Sequence, residues 1–356
     1  MRWRGCRRAA SLALAPSPPT SARPDAGQAS DAPCETRCPM ARILVTSPLP
    51  EGAFDPLAGH ELTMAKPGSS LTTGEIAEAA RDVAAIVCQL RDRISEEVFA
   101  GASRLEVVAT VSVGYDNVDV DAATRAGVAV CHTPGVLDGT VADLAFALIL
   151  SASRLLSESE RDLRDGNWTA PRFDGYLGRD VHGATLGLVG YGRIARAVAR
   201  RAEGFSMRVL HHARRPTGLE GCVTELDDLL AMADVVSLHV PLSPETRHLI
   251  DARRLALFKP TAVLVNTSRG PVVDEEALAA ALESGRLFAA GLDVYENEPV
   301  VHPRLLAAPR TVLLPHVGSA SFATRLAMAR LATTGAAEVL AGRRPPSTVN
   351  PEVFDR

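Results

Sequence analysis

A short apolar strand that runs directly into a glycine-rich turn constrains the fold of this chain more than any other feature. Residues 186–189 have the strand pattern, and Gly190, Gly192 and Ala195 follow, where a helical pattern begins. Gly190 permits a tight turn, Gly192 lets the backbone approach a ligand closely because it has no Cβ, and Ala195 packs the helix on the strand as a third glycine usually does. The helix N-terminus offers free N–H groups to phosphates. This strand–turn–helix context predicts a dinucleotide-binding site.

Length and charge limit the class of protein. A chain of 356 residues, 46% of them hydrophobic, has room for about two domains with buried cores. The 38 basic and 42 acidic residues give a net charge of −4, so no nucleic-acid or membrane partner is expected. The uncharged apolar runs are all shorter than the roughly 20 residues that a membrane span needs.

The first part of the chain, residues 1–39, has a different composition from the rest. It is rich in Arg, Ala, Ser and Pro and has no hydrophobic periodicity, so we predict a disordered extension. It resembles a transit segment in its arginines and its shortage of acidic residues. The alternative, which we favour, is an extension upstream of a natural start at Met40. A cytoplasmic location is expected.

The six cysteines show no disulfide framework. Cys34 and Cys38 have no second pair of ligands beside them, so no metal site is expected there or elsewhere. Cys88, Cys131 and Cys222 are interpreted as core or near-core residues of a protein in a reducing compartment.

Short β-rich runs alternate with helical patterns from residue 42 onward, which predicts parallel sheets. In the first half, strands are expected at 43–46, 84–88, 107–111 and 128–131, and helices at 73–80 and 140–156. In the second half, strands are expected at 185–189, 208–212, 234–239, 262–266, 288–292 and 311–314, and helices at 193–203, 225–231, 251–257 and 274–284. A last helix at 320–340 is expected to return to the first domain.

The strand after the glycine turn indicates which nicotinamide cofactor is bound. Such a strand usually ends near an acidic residue that binds the ribose hydroxyls of NAD, but no acidic residue occurs between Gly204 and Leu219. Arg214 and Arg215 lie where a 2′-phosphate would sit, and guanidinium groups bind phosphate through paired hydrogen bonds. We predict that NADP(H) is preferred, with NAD(H) as the alternative; a solvated basic turn is the simpler interpretation.

Three polar segments follow predicted strands, where open α/β sheets bind ligands. They are residues 266–270 (Asn-Thr-Ser-Arg-Gly), 291–299 (Gly-Leu-Asp-Val-Tyr-Glu-Asn-Glu-Pro) and 314–319 (Leu-Pro-His-Val-Gly-Ser). Each of these segments has a structural explanation when it is taken alone. Together they suit hydride transfer to a 2-oxo acid.

Four side chains in these segments are given roles. Arg269 would clamp a carboxylate and polarise the adjacent ketone. His316 would donate a proton to the carbonyl oxygen during reduction, and Glu298 would orient the imidazole and favour its protonated form. Asp293 is expected to contact the nicotinamide end of the cofactor.

These motifs resemble the D-isomer-specific 2-hydroxyacid dehydrogenase family over about residues 41–350. The resemblance rests on residues 190–194, 266–270, 293–299 and 315–319. It implies that Arg269, Glu298 and His316 form a catalytic triad, and that two chains form a homodimer largely through the cofactor domain. The fold class expected is α/β: two doubly wound parallel-sheet domains, a Rossmann cofactor domain inserted in a flavodoxin-like substrate domain. The domains are then 40–139 with 320–350 for substrate, and 140–319 for NAD(P).

The resemblance also implies contacts to substrate and cofactor. Residues 111–119 match the family's substrate loop, so that the backbone N–H groups of Val113 and Gly114 would bind the substrate carboxylate opposite Arg269. A plain glycine-containing turn is equally compatible with that segment. The expected cofactor contacts, besides Arg214 and Arg215, are Thr140, Gly190, Gly192, Arg193, Ile194, Pro241, Thr267, Asp293 and Gly318.

Within the family, the chain is most similar to the glyoxylate/hydroxypyruvate reductases. The similarity lies in Arg214 and Arg215 and in residues 166–168 and 345–352. Residues 138–140 and 170–176 differ from the sequence that is usual in these reductases. The expected function is NADPH-dependent reduction of small 2-oxo acids to D-2-hydroxy acids. The alternatives are an NAD-dependent D-2-hydroxyacid or phosphoglycerate dehydrogenase, and a non-catalytic, dinucleotide-sensing protein of the corepressor type.

Overall fold

The structure is a computed structural model that describes residues 40–66, 68 and 70–355. The predicted disorder of residues 1–39, and the cysteines at 34 and 38, lie outside the described residues.

The described chain alternates strands and helices, as the sequence predicts. Its strands are β1 (Arg42–Val45), β2 (Glu61–Met64), β3 (Ala85–Cys88), β4 (Val107–Thr110), β5 (Ala129–Cys131), β6 (Thr185–Val189), β7 (Arg208–His212), β8 (Val235–Leu238), β9 (Val263–Asn266), β10 (Ala289–Leu292) and β11 (Thr311–Leu313). Its α-helices are α1 (Thr73–Ala80), α2 (Glu96–Phe99), α3 (Val120–Arg125), α4 (Asp138–Ser153), α5 (Leu156–Arg164), α6 (Arg193–Glu203), α7 (Leu226–Met232), α8 (Ala252–Leu255), α9 (Glu275–Glu283), α10 (Pro303–Ala307) and α11 (Phe322–Leu340). Short 3₁₀ helices lie at Asp55–Leu57, Gly270–Val272 and Pro351–Asp355.

The first sheet has the strand order β2-β1-β3-β4-β5, with all strands parallel. This is the flavodoxin-like order, in which the chain passes from one side of the first strand to the other. One face carries a core shared with α1, α2 and α3, and α11 packs against β3, β4 and β5 on the other face. The long last helix therefore lies on the sheet formed by the beginning of the chain.

The second sheet has the order β11-β10-β9-β8-β6-β7, again all parallel. A parallel bridge between His211 and Cys222 extends it beyond β7. With that bridge as a short third strand, the order becomes 3-2-1-4-5-6 with one further strand, which is the Rossmann arrangement. Its switch point lies between β6 and β8. Helices α4 and α6 cover one face, and α7, α8 and α9 lie on the other.

The composition of the strands explains why both sheets are parallel. Every residue of β3, β4, β8, β9 and β10 is buried. Strands that are covered by helices on both faces need continuous apolar runs rather than alternation. The predicted fold class, two doubly wound α/β sheets with a Rossmann-type second sheet, is confirmed.

One local prediction was wrong. The helix expected at 140–156 is two helices, α4 and α5, because Leu155 has left-handed backbone (φ +54°) and turns the chain by 66°. Helix α6 spans Arg193–Glu203 as predicted, and Phe205, which follows it, packs on Phe146 with ring centroids 4.9 Å apart. Within the described chain no single helix is long and apolar enough to cross a membrane, and α4 with α5 would pass that test only as a bent pair.

Candidate active site

The turn after β6 has the geometry that its glycines predict. Gly190 has φ +86°, and a Cβ there would lie 2.7 Å from the carbonyl oxygen of His239, which follows β8. Gly192 instead faces open space, because an added Cβ would have no atom within 4 Å. Ala195 is fully buried between α6 and the sheet. The turn is therefore packed on its inner side and open at Gly192.

The first turn of α6 is suited to phosphate. Among the described residues, no side chain caps the helix at Gly192, and the first backbone bond of the helix is donated by Arg196 to the Gly192 carbonyl. The N–H groups that precede Arg196 are left for a ligand. At the end of β9, the Thr267 hydroxyl is buried and has no hydrogen-bond partner in the described chain. An open glycine, an uncapped helix and an orphaned buried hydroxyl along one sheet edge fit a bound dinucleotide.

The loop after β7 is basic, and a side chain of β7 holds it by a hydrogen bond. Arg214 and Arg215 are exposed. His211, which is buried, bonds the Thr217 hydroxyl through Nε2 (2.6 Å) and stacks on Tyr191 with ring centroids 3.8 Å apart. Burial lowers the pKa of His211, and the charge of Arg196 lowers it further. The uncharged ring thus ties the basic loop to the glycine turn.

Arg269 is presented by a turn that Asn266 builds at the end of β9. The Asn266 side chain accepts from the N–H (3.0 Å) and hydroxyl (2.8 Å) of Ser268, and donates to the Arg269 carbonyl (2.9 Å). Gly270 lies against the backbone after β10, since a Cβ there would lie 1.8 Å from the carbonyl carbon of Tyr295. The turn therefore locks the Arg269 segment to the segment that carries Glu298.

The Arg269 side chain reaches the first sheet. Its Nε and Nη2 donate to Asp116 Oδ1 at 3.0 and 2.9 Å, and Nε also lies 3.2 Å from Oδ2. Its Nη1 donates to the Ser268 carbonyl (2.8 Å). The guanidinium lies over Gly114, where a Cβ would come within 1.7 Å of Nη2. The predicted substrate loop and the predicted carboxylate clamp are in direct contact.

Glu298 and His316 form a hydrogen bond of 2.7 Å between Oε2 and Nδ1. Oε1 of Glu298 accepts the N–H of Tyr295 (3.1 Å). Burial alone would raise the pKa of Glu298, but the bond to His316 and its charge, the Tyr295 N–H and the charge of Arg269 together lower it. Glu298 is thus a carboxylate at neutral pH. The Nε2 atom of His316 has no hydrogen-bond partner among the described residues.

Asp293, expected at the nicotinamide end of the cofactor, lies beneath the histidine turn. Its side chain is only 1% exposed, and its two oxygens accept the N–H groups of Val317 and Gly318, each at 2.8 Å. Burial raises the pKa of Asp293, although the two N–H groups and His316 oppose the shift. The carboxylate holds the turn that carries His316, which has left-handed backbone (φ +53°).

Sequence comparison decides the family. Residues 146–318 match the family described as "D-isomer specific 2-hydroxyacid dehydrogenase, NAD binding domain". A glyoxylate reductase of Thermococcus onnurineus is 42% identical over 88% of this chain and 97% of its own length, and one of Korarchaeum cryptofilum is 44% identical over 88% and 96%.

The chain belongs to the D-isomer-specific 2-hydroxyacid dehydrogenase family. It is an NAD(P)-dependent oxidoreductase that acts on CH–OH groups and their carbonyl counterparts.

Solved structures of this dehydrogenase family have the same fold. A protein from Thermus thermophilus is 46% identical, with a TM-score of 0.82 over 86% of this chain and 99% of that one. An NADPH-dependent glyoxylate/hydroxypyruvate reductase from Sinorhizobium meliloti, in complex with NADP and malonate, is 35% identical, with a TM-score of 0.79 over 88% and 98%.

Several of the other predicted cofactor contacts of this dehydrogenase are engaged with protein. Thr140 Oγ1 lies 2.6 Å from Thr324 Oγ1, which joins α4 to α11. Arg193 is paired with Asp138 (3.2 Å), and the Pro241 carbonyl accepts from Thr246 (2.7 Å). Ile194 packs against the core of the first sheet. Their contacts to a cofactor stay predictions.

Metal and thiol chemistry have little support in the described part of this dehydrogenase. No group of three or more His, Cys, Asp or Glu there is arranged to hold a metal ion. Cys88 and Cys131 are buried, and burial raises their pKa values to about 12 and about 11. Cys222 is half-buried and free. Cys88 and Cys131 are therefore packing residues, as predicted.

Sequence reasoning missed two residues that shape the site, Asn266 and Asp116. An asparagine that ends an apolar strand is a common start for a side-chain-to-backbone turn, so the role of Asn266 could have been predicted. Asp116 lies in the substrate loop, but its partner is 153 residues away in sequence. No local pattern indicates such a pair.

Proposed function

We propose that this protein reduces small 2-oxo acids, such as glyoxylate and hydroxypyruvate, to D-2-hydroxy acids with NADPH, and that His316 is the proton donor. The observation that carries the proposal is the hydrogen bond between His316 Nδ1 and Glu298, close enough to Arg269 for the arginine charge to help lower the pKa of Glu298. The relatives named glyoxylate reductase support the substrate class.

The substrate carboxylate is bound by groups from both sheets. The backbone N–H groups of Val113 and Gly114 have no acceptor within the described chain, and the Arg269 guanidinium lies directly over Gly114. A guanidinium binds a carboxylate through two parallel hydrogen bonds. These donors fix the oxo acid and leave its ketone toward His316.

His316 supplies the proton. Glu298 accepts the Nδ1–H, which orients the ring and stabilises the imidazolium, so that Nε2 carries the proton that goes to the ketone oxygen. When bound, the nicotinamide supplies the hydride that adds to the carbonyl carbon. Addition of this hydride and the proton from Nε2 to the C=O bond gives the hydroxy acid, and the imidazole then regains a proton from solvent.

The preference for NADPH rests on Arg214 and Arg215. Both are exposed on the loop after β7, and the charge of Arg214 reaches Glu245, whose pKa is lowered first by Ser243. Strand β7 ends in histidines and not in the acidic residue that NAD-specific folds have there. The cations Arg214 and Arg215 follow in its place. The negatively charged 2′-phosphate of NADPH would neutralise the positive charges of these two arginines.

The two sheets have different tasks in this proposal. Residues 40–139 and 320–350 bind substrate, and residues 140–319 bind the cofactor. A homodimer through the cofactor domain is supported by large apolar side chains that are exposed on α5 and in the loop after it: Leu156, Leu163, Trp168, Phe173, Tyr176 and Leu177. Light scattering at twice the chain mass of 37.6 kDa would support the dimer, and the chain mass would contradict it.

Product stereochemistry tests the proposal. We expect hydroxypyruvate and NADPH to give D-glycerate, identified by chiral chromatography, and glyoxylate to be reduced at a comparable rate. Formation of L-glycerate would contradict the proposed placement of the ketone. Failure to turn over either oxo acid with either nicotinamide would contradict the function itself and favour the dinucleotide-sensing alternative.

A further inference from the structure

Asp116 holds the guanidinium of Arg269 by one edge only. Its carboxylate accepts from Nε and Nη2, and the Ser268 carbonyl takes one N–H of Nη1. A guanidinium has five N–H groups in a rigid plane. Within the described part of the chain, one N–H of Nη1 and one N–H of Nη2 are therefore left without an acceptor.

The loop that carries Asp116 is itself rigid. Ser112 Oγ donates to the Gly114 carbonyl (2.6 Å), and His132 Nδ1 lies 2.8 Å from the Val113 carbonyl. The Asn117 amide donates to the carbonyls of Gln89 (3.1 Å) and Asp92 (2.8 Å). These bonds fix Asp116 relative to the first sheet. Its carboxylate can therefore orient the Arg269 guanidinium to which it is bonded.

The two halves of the proposed carboxylate site come from different sheets. Val113 and Gly114 follow β4, whereas Arg269 follows β9. The Asp116–Arg269 ion pair joins them across 153 residues of sequence, with side chains only 32% and 20% exposed. A partly buried, multiply bonded pair restricts the guanidinium far more than an exposed ion pair does.

We propose that Asp116 is a positioning residue: it fixes the rotation of the Arg269 guanidinium, so that the free end of its fork meets the 2-oxo acid in register with the N–H groups of Val113 and Gly114. This inference rests on the proposed function. It also has an electrostatic consequence, because the carboxylate of Asp116 opposes the binding of any anion beside Arg269.

Two substitutions separate orientation from charge. Asp116→Asn keeps the shape but removes the charge and one acceptor, and Asp116→Glu keeps the charge. Asp121→Asn, an exposed carboxylate on the same segment, is the matched control. The readouts are kcat and KM for glyoxylate, and the Kd of oxamate, an inert 2-oxo acid analogue, for the NADPH-loaded protein.

We expect Asp116→Asn to lower kcat about tenfold or more, because a misplaced clamp loses the reactive geometry. The same variant should bind oxamate at least as tightly as the wild type, because a negative charge beside the bound anion is lost. If the loss of this repulsion outweighs the loss of orientation, the Kd should fall about threefold. The kcat and the affinity then change in opposite directions. Asp116→Glu should recover part of kcat. Asp121→Asn should match the wild type in both readouts.

An unchanged kcat in Asp116→Asn would overturn the proposal. So would a joint loss of kcat and of oxamate binding that Asp116→Glu does not repair, since that result means that Asp116 only maintains the loop. If the wild type reduces no 2-oxo acid, the proposed function fails. The Kd of oxamate then tests separately whether Asp116 lies at an anion-binding site. Tighter binding in Asp116→Asn than in Asp121→Asn then supports Asp116 at an anion site, and equal binding contradicts it.

Discussion

Glu298 Oε2 lies 2.7 Å from His316 Nδ1, and this hydrogen bond connects the segments that follow two neighbouring strands, β10 and β11. Tyr295 holds the other Glu298 oxygen, and Asp293 holds the two N–H groups after His316. One ring nitrogen is therefore fixed by protein while the other is left for the reaction.

Replacing His316 with Asn tests the proton donor. His316→Asn should lower kcat for glyoxylate reduction by about 10²-fold or more, the usual scale for a lost acid–base group, while the Kd for NADPH stays near the wild-type value. His182→Asn is the control, because His182 is exposed and precedes β6, whereas His316 follows β11 at the opposite edge of the same parallel sheet. Equal turnover in the two variants would remove His316 from the proposed chemistry.

Replacing Glu298 with Gln tests how the histidine is held. The amide of Glu298→Gln no longer offers a carboxylate to Nδ1 of His316, so the ring is held less well and kcat for glyoxylate reduction should fall about tenfold or more. A kcat equal to that of the wild type would contradict the role of Glu298 in holding the ring.

The same variant makes a prediction about stability. The folded-state pKa of Glu298 lies below its ordinary value of 4.5, so the ionised side chain stabilises the fold above that pH, and the contribution is lost as the pH falls through the lowered value. Urea unfolding should show Glu298→Gln to be less stable than the wild type at neutral pH, and the difference should shrink well below pH 4.5. A constant difference at all pH values would contradict the ionised state of Glu298.

Much of the site followed from sequence because its residues come directly after apolar strands. Parallel strands place their carboxyl ends along one edge, so the sequence alone predicts that Arg269, Glu298 and His316 lie close together. Element bounds were accurate where a cap or a glycine marks them: α1 begins after Thr72, whose side chain forms a capping box with Glu75.

The features that sequence reasoning missed depend on exposure or on distant contacts. Strand β2 (Glu61–Met64) lies at a sheet edge and is mostly exposed, so it has neither an apolar run nor an alternating pattern. The break between α4 and α5 depends on the left-handed backbone of Leu155. Leucine rarely adopts this conformation, so the sequence does not predict it. The partner of Arg269, Asp116, is fixed only by how the two sheets come together.

Asp293 is predicted to support the turn that carries His316. Asp293→Asn leaves one acceptor for two buried N–H groups, and an unsatisfied buried donor costs about 1–3 kcal/mol. We expect a lower free energy of unfolding in urea and a lower kcat, with little change in the Kd for NADPH if the carboxylate acts only on the turn. A large loss of NADPH affinity would instead support the predicted contact of Asp293 with the nicotinamide end.

Arg214 and Arg215 are predicted to select the cofactor. The double substitution Arg214→Ala and Arg215→Ala should raise KM for NADPH about tenfold or more, since two charge-assisted contacts to a phosphate are lost, and leave KM for NADH nearly unchanged. Arg208→Ala, at the exposed beginning of the same strand, is the control. An equal rise for both cofactors would make the arginines structural.

The most direct measurement is the initial rate of nicotinamide oxidation with glyoxylate, with NADPH and NADH compared in parallel on the same preparation. The account predicts rapid turnover with NADPH and little with NADH. Faster turnover with NADH would contradict the assignment of the basic loop to a 2′-phosphate, and the absence of turnover with both cofactors would contradict the proposed reduction of glyoxylate.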